Sequence, residues 1–267
     1  MRSDVAAPPA GTYGLRTVLV VVFAFLYIPI AVLVALSFNE GGLPTVWSGF
    51  SLKWYASLST NRAILSAALN TLIVALVSTA IATLLGTLLA LGVEMRRRRG
   101  RAIEALIFAP MIIPDIVLAI ALLSFFSMLD LTMGLHTIIL AHVVFNLAFV
   151  CSVVRARLKT FDWSIMEASA DLGASTFTTL RRVTLPVILP AVIAGALLAF
   201  TLSVDEFIIA FFTAGAGRSS TTLPMQIYSM IRFGITPEIN ALATIVMAVS
   251  VTALTLSQRL NRGAVVP

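Results

Sequence analysis

Charge is what this sequence most conspicuously lacks: only 11% of its 267 residues are charged, against about a quarter in soluble domains. A soluble globule is thereby excluded. Cysteine is nearly absent too, since Cys151 stands alone inside an apolar run. It has no intrachain partner for a disulfide or a cysteine metal site, and reads as a small buried hydrophobe. The two histidines, His136 and His142, are six residues apart. That spacing sets them on opposite sides of a helix and does not match the pair in H-E-x-x-H. His136 is expected at a membrane edge, and His142 is expected to hydrogen-bond to a neighbour rather than bind metal. No serine sits in a G-x-S-x-G context and no G-x-x-x-x-G-K-[ST] phosphate loop occurs. The chain is therefore expected to hold no catalytic centre, no metal and no ATPase of its own.

What it has in quantity is apolar sequence, 59% hydrophobic residues with a mean hydropathy of +1.02. The hydropathy implies an all-α integral membrane protein with one membrane domain, residues 17–258, whose core is 66–257. Six spans are expected, over 17–37, 67–93, 103–129, 135–154, 187–215 and 239–256, each near the ~20 residues that a bilayer crossing needs. Residues 1–16 are rich in Pro, Ala and Gly and are expected to be disordered, and 259–267 form a tail. A cleaved signal peptide is the alternative for the first run, but about 20 unbroken apolar residues exceed an ordinary signal core. In the second span Ser78, Ala82, Gly86 and Ala90 recur every four residues, a small-residue stripe that allows another helix to approach closely. The loop over 38–65 carries Gly41, Gly42, Pro44 and three aromatics, Trp47, Trp54 and Tyr55, which suit a headgroup-level belt.

Basic residues set the orientation. With the N-terminus in the cytoplasm, Arg2, Arg16, the five arginines of EMRRRRGR (94–101), Arg155, Arg157, Lys159, Arg181, Arg182, Arg259 and Arg262 lie inside. Lys53, Arg62, Arg218 and Arg232 lie outside. This bias places both termini in the cytoplasm. It also accounts for the net charge of +6 without invoking nucleic acid.

Residues 162–186, DWSIMEASADLGASTFTTLRRVTLP, interrupt the apolar pattern. Ser164 and Glu167 have capping-box spacing, so a short helix is expected from about Ile165, ending at Gly173 in a left-handed conformation. A second short helix is expected from Ser175 until Pro186 forces a new start. Ile165, Ala168 and Leu172 would share one face, and Glu167 and Asp171 another. On these residues alone the favoured reading is a solvated cytoplasmic loop with a helical turn.

Glu167, Ala168 and Ser169, then Gly173, then Val183, Leu185 and Pro186 fall at the spacing of the EAA signature. In this the chain resembles the permease subunits of bacterial type I ABC importers, with Ser169 where the family usually has Ala and Val183 where it usually has Ile. The resemblance implies a six-helix permease fold in the inner membrane. It makes 162–186 a coupling-helix loop, with Glu167, Ala168, Ser169, Asp171, Gly173, Leu185 and Pro186 meeting a separate ATPase. Ala168 and Ser169 would allow close approach. ATP and Mg would be used by that partner, and none is bound by this chain.

Acids inside the apolar runs bear on cargo. Asp115 follows Pro114 in the third span, and Asp205 and Glu206 interrupt the fifth. Carboxylates at such depth are costly unless they face water, a cation or a pathway. Their alternative is an intramolecular role, such as capping a broken helix. Counted at ~1.5 Å per residue, Asp115 lies about 12 residues into the third span, near mid-bilayer, just after the kink expected at Pro114. With Phe207, Phe211 and Tyr228 nearby, these acids could receive ammonium groups by charge and cation–π contact. The stretches TLSVDEFIIAFFTAG and TTLPMQIYSMIRFGITPEINALATI resemble the spermidine and putrescine permeases of the PotC type. That resemblance implies a polyamine cargo, a second permease (PotB-type), an ATPase dimer (PotA-type) and a periplasmic or lipid-anchored binding protein (PotD-type); the loop 216–238 is a candidate docking surface for the last, the alternative being a cap on the bundle. A permease for another small solute, or an autonomous cation-coupled transporter or channel, remains open.

Overall fold

The computed structural model describes residues 11–42, 46–95, 100–217, 219–234 and 236–262. Part of the arginine run (96–99), the proline-rich start (1–10), Pro44, Arg218 and the end of the tail (263–267) lie outside the described residues. Those described form helices α1 (Gly11–Leu36), α2 (Lys53–Thr60), α3 (Arg62–Met95), α4 (Gly100–Ile112), α5 (Asp115–Met128) and α6 (Leu135–Leu158). Then come α7 (Ser164–Asp171), α8 (Thr176–Thr179), a π-helical turn (Leu180–Thr184), α9 (Leu185–Asp205), α10 (Ile208–Thr213), α11 (Leu223–Arg232) and α12 (Pro237–Arg262). One β-bridge, Asn39 to Phe50, is the only strand-like pairing among them.

Among the described residues, four helical stretches are long and apolar enough to cross a membrane: Gly14–Leu36, Arg62–Met95, Leu135–Leu158 and Thr176–Asp205. A fifth crossing results if Ala105–Ile112 and Asp115–Met128, bent by 112°, act as one. The sixth expected span falls in α12, whose described apolar part, Pro237–Val249, is shorter than a crossing. Residues 11–16, expected to be disordered, instead begin α1, because the last N-terminal proline, Pro9, precedes them.

The third expected span is not one kinked rod. Pro114 sits between α4 and α5 with ψ of 135°, and a proline disfavours the helical conformation in the residue before it and removes a donor. The depth of Asp115 counted along a straight helix therefore does not apply. Asp115 occupies the first turn of α5, where the positive end of the helix dipole favours a carboxylate.

The chain divides into two compact units. In the unit Arg62–Tyr228, α3, α6 and α9 pack on one another. The small stripe of α3 makes the contact: Ser78, Ala82 and Ala90 have no exposed surface. A Cβ on Gly86 would lie 2.9 Å from Val150 Cβ and 3.1 Å from the Leu147 carbonyl, closer than side chains tolerate. On the opposite side of α3, Leu65, Leu69, Leu72 and Leu76 are exposed. Small inside and large outside inverts the pattern of a water-soluble helix and suits lipid. At one end of this core Arg155 donates through Nε to Glu94 Oε1 at 2.9 Å, and its guanidinium lies over the Phe108 ring. Arg155 is thus buried in the bundle and not a loop charge, as the orientation argument had it.

The second unit joins Met1–Asn61 with Ser229–Pro267. In it α12 packs on α1 and α2, and Ser57 donates to Glu238 at 3.2 Å. Asn39 organises the loop after α1, its side chain bonding the backbone of Val46 and Ser48. Trp54 donates to the Asn39 carbonyl and Tyr55 pairs with Ser37. Of the three aromatics expected in a headgroup belt, two therefore turn into the loop, and Trp47 is the one well exposed.

Candidate functional site

α7 is a two-turn ledge with defined ends. Its start is not the expected capping box. Asp162 Oδ1 accepts from the Ser164 N–H at 3.0 Å and from the Ser164 hydroxyl at 2.8 Å, so the helix begins at Ser164 and that hydroxyl is already committed. Those two bonds hold the Asp162 carboxyl below its usual range, the hydroxyl contributing most. The end is as expected. Gly173 has φ of +80°, its N–H reaches the Ala170 carbonyl, and the Ala174 N–H reaches Ser169. This is the paired closure that a left-handed glycine permits.

No residue of α7 is buried. Ile165 and Leu172 are exposed, Leu172 by 89%, so the apolar face expected of Ile165, Ala168 and Leu172 is uncovered. Glu167, Asp171, Arg181 and Arg182 are also exposed, and among the described residues no ion pair joins them. Ser169 turns the other way. Its hydroxyl meets Thr179 at 2.9 Å and ties α7 to α8, while Trp163 and Met166 pack on the bundle core. Pro186 does not force a new start. The Leu185 N–H bonds to the Leu180 carbonyl across the wider π-helical turn, and this local widening directly before Pro186 lets the helix run on past the missing donor.

Thr176–Asp205 is consequently one helical run of 30 residues. It ends at a break. Glu206 has ψ of 115°, and its Oε1 accepts from the Ile209 N–H at 2.7 Å, capping α10. The intramolecular alternative raised for these acids is thus realised at Glu206. Asp115, at the start of α5, lies near enough for its charge to act on Glu206, and α10 packs on α5. Phe207 stacks 4.8 Å from Tyr228 and 5.5 Å from Phe211. Phe211 and Tyr228 are about half exposed, and Asp205 is exposed at the last position of α9. The break thus assembles Glu206, Asp115, Phe207, Phe211 and Tyr228 from four elements, and Asp205 lies at its rim.

Three arrangements were not anticipated from sequence. His142 Nδ1 meets the Ser203 hydroxyl at 2.7 Å, and Ser203 meets Ser78 at 3.2 Å, joining α6, α9 and α3; only a neighbour for His142 was expected. Glu94 and Arg155 pair as described. The Asn70 side chain donates to the carbonyls of Ser219 and Thr221, both at 2.9 Å, fixing the approach to α11. Helix α11 itself lies in what reads as a loop, although Pro224 in its first turn and Gly234 after its end are start and stop signals.

Residues 82–265 match the family described as binding-protein-dependent transport system inner membrane component. The chain belongs to that family. The permease is 42% identical over 242 residues to the spermidine/putrescine transport system permease protein PotC of Escherichia coli K12, covering 90% of this chain and 91% of the relative. It is 43% identical over 238 residues to the putrescine transport system permease protein PotI of the same organism, covering 86% and 84%. Among solved structures, it superposes on a bacterial ABC transporter involved in the import of the acidic polysaccharide alginate. There the TM-score is 0.77 at 14% identity, with 96% of this chain and 99% of that one covered. The methionine ABC transporter MetNI gives a TM-score of 0.60 at 18% identity, covering 77% and 95%. The protein is accordingly an inner-membrane permease component with an ABC-permease fold, a membrane subunit and not the ATPase.

Proposed function

We propose that this permease carries a small cationic solute, a polyamine such as spermidine or putrescine, handed over by a solute-binding protein and driven by ATP hydrolysed on a partner. The observation that carries the cargo is the break after α9, where Glu206, within reach of the Asp115 charge, directly precedes Phe207 and its ring cluster with Phe211 and Tyr228. A polycation wants spaced negative charge and aromatic faces, worth about 0.5–2 kcal/mol per ring contact. Relatives named as polyamine permeases support the same cargo.

Coupling is read from continuity. The uncovered ledge, with Glu167, Ala168 and Asp171 exposed, offers a docking surface, and Ser169 fastens it to the rod that starts at Thr176. That rod of 30 residues is about 45 Å long, and its far end is Asp205. A push on the ledge from an ATPase closing on ATP and Mg would displace the cation site as a rigid body. Leu185, Pro186 and the π-helical turn lie in the rod, and Gly173 forms the corner. In this reading six spans cross the membrane, α12 being the sixth, and both termini are cytoplasmic. A second homologous permease, an ATPase dimer and a binding protein, counterparts of the PotB, PotA and PotD types, complete the assembly.

The test is uptake of labelled spermidine into proteoliposomes that contain the assembled importer. Asp205→Asn and Tyr228→Leu should each raise KM without changing the amount of complex. Unchanged KM in both would remove the break from the pathway. Ion-gradient uptake by the permease alone would support an autonomous transporter instead.

A further inference from the structure

The polar chain through His142 leaves valences over. Asn146, one turn further along α6, is fully buried, and neither its amide oxygen nor its amide nitrogen meets a protein partner. Both being unpaired, the result does not depend on which way the amide is turned. His142 is 1% exposed, and its second ring nitrogen, Nε2, is likewise without a partner. Buried polar groups are rarely left so, and bound water is the usual answer where there is room.

The helix register puts only small side chains opposite Asn146. His142 is level with Ser78 and Ser203, while Val150 is level with Gly86 and Gly195. Asn146 lies midway, and the residues midway on the facing helices are Ala82 and Ala199, both fully buried. A side chain with both polar atoms unpaired thus stands opposite two methyl groups. No carboxylate shares this level: Glu94 is paired to Arg155 three turns away on α3, and Asp205 and Glu206 lie beyond Ser203. A neutral amide and an imidazole nitrogen call for a neutral molecule that donates and accepts, not for a cation.

We infer that α3, α6 and α9 enclose a built hydration site at Asn146, in which one or two water molecules bridge the Asn146 amide to His142 Nε2. Water held there extends the Ser78–Ser203–His142 chain to Asn146. It also keeps these donors and acceptors paired when α6 and α9 shift, because water can exchange partners and a fixed side chain cannot.

Synchrotron X-ray radiolytic footprinting of the permease in its assembled importer, in lipid nanodiscs, tests the site. Radicals generated from bound water oxidise adjacent side chains that bulk solvent does not reach. The chain has two histidines, and exposed His136 serves as the internal reference. Oxidation of His142 at a rate comparable with His136, falling several-fold in Asn146→Leu, is the expected result. Should Asn146→Leu fail to assemble, Ala199→Leu fills the same space and should give the same fall. Wild-type His142 that stays unoxidised while His136 reacts would overturn the proposal. So would His142 oxidation that is equal in wild type and variant, since the label would then come from bulk access.

Discussion

Glu206 combines an observed cap with a proposed cargo contact, and substitution can separate them. As an acceptor it caps α10 through Ile209, and as a charge it stands beside the aromatic cluster. Glu206→Gln keeps an acceptor oxygen but not the charge. It should raise the KM for spermidine about tenfold, the equivalent of ~1.4 kcal/mol, with the complex equally stable. Glu206→Ala removes the cap as well and should also lower thermal stability, by about 1 kcal/mol. Equal stability of the two variants would show that the cap is dispensable. Asp162 gives a pH dependence. Its carboxyl is held low by the Ser164 hydroxyl and then by the Ser164 N–H. The order it lends to α7 is therefore complete above the ordinary carboxylate value and is lost as pH falls through the lower, folded one. Hydrogen exchange over 162–172 should accelerate, beyond the intrinsic change, on acidification through that window in wild type. In Asp162→Asn, which keeps an acceptor that does not titrate, it should not.

Helices meet the same kind of test. Gly86→Ala should destabilise the α3–α6 contact by about 1–3 kcal/mol, because the new methyl group meets Val150 and a backbone carbonyl at once. A melting temperature equal to wild type would mean that the two helices can separate freely. The stripe from Ser78 to Ala90 was legible in the sequence because a four-residue period of small side chains has one physical use in lipid. The left-handed glycine closing α7 was legible for a similar reason. The capping of α7 was not: Ser164 and Glu167 have the right spacing, but Asp162 competes for the same hydroxyl two residues earlier, and spacing alone does not rank competitors. A kink at Pro114 was legible, but not that it would be a 112° bend between two separate helices. Prolines mark where a helix can break, and the surrounding packing decides how far it turns.

At the scale of the whole molecule, the proposed coupling joins the ledge to the break after α9 through one 30-residue rod. Glu167→Lys should abolish copurification with the ATPase or the stimulation of its activity, while the protein still inserts. Normal ATP-driven uptake by that variant would end the coupling role of α7. Orientation is checked at Ser219, which is exposed. A cysteine introduced there should react with an impermeant reagent from outside the cell, and reaction only after lysis would invert the proposed topology. Fold class and family were readable from apolar runs and from the spacing between Glu167 and Pro186. The assembly of the break was not, since Asp115, Glu206 and Tyr228 come together only when α5, α10 and α11 have packed. Cys151 makes such labelling unusually clean. It is fully buried among Val150, Val154 and Ile188, so the folded natural chain is already silent to thiol reagents. An introduced cysteine needs no cysteine-free background, and the appearance of one extra reactive thiol counts the molecules that have come apart.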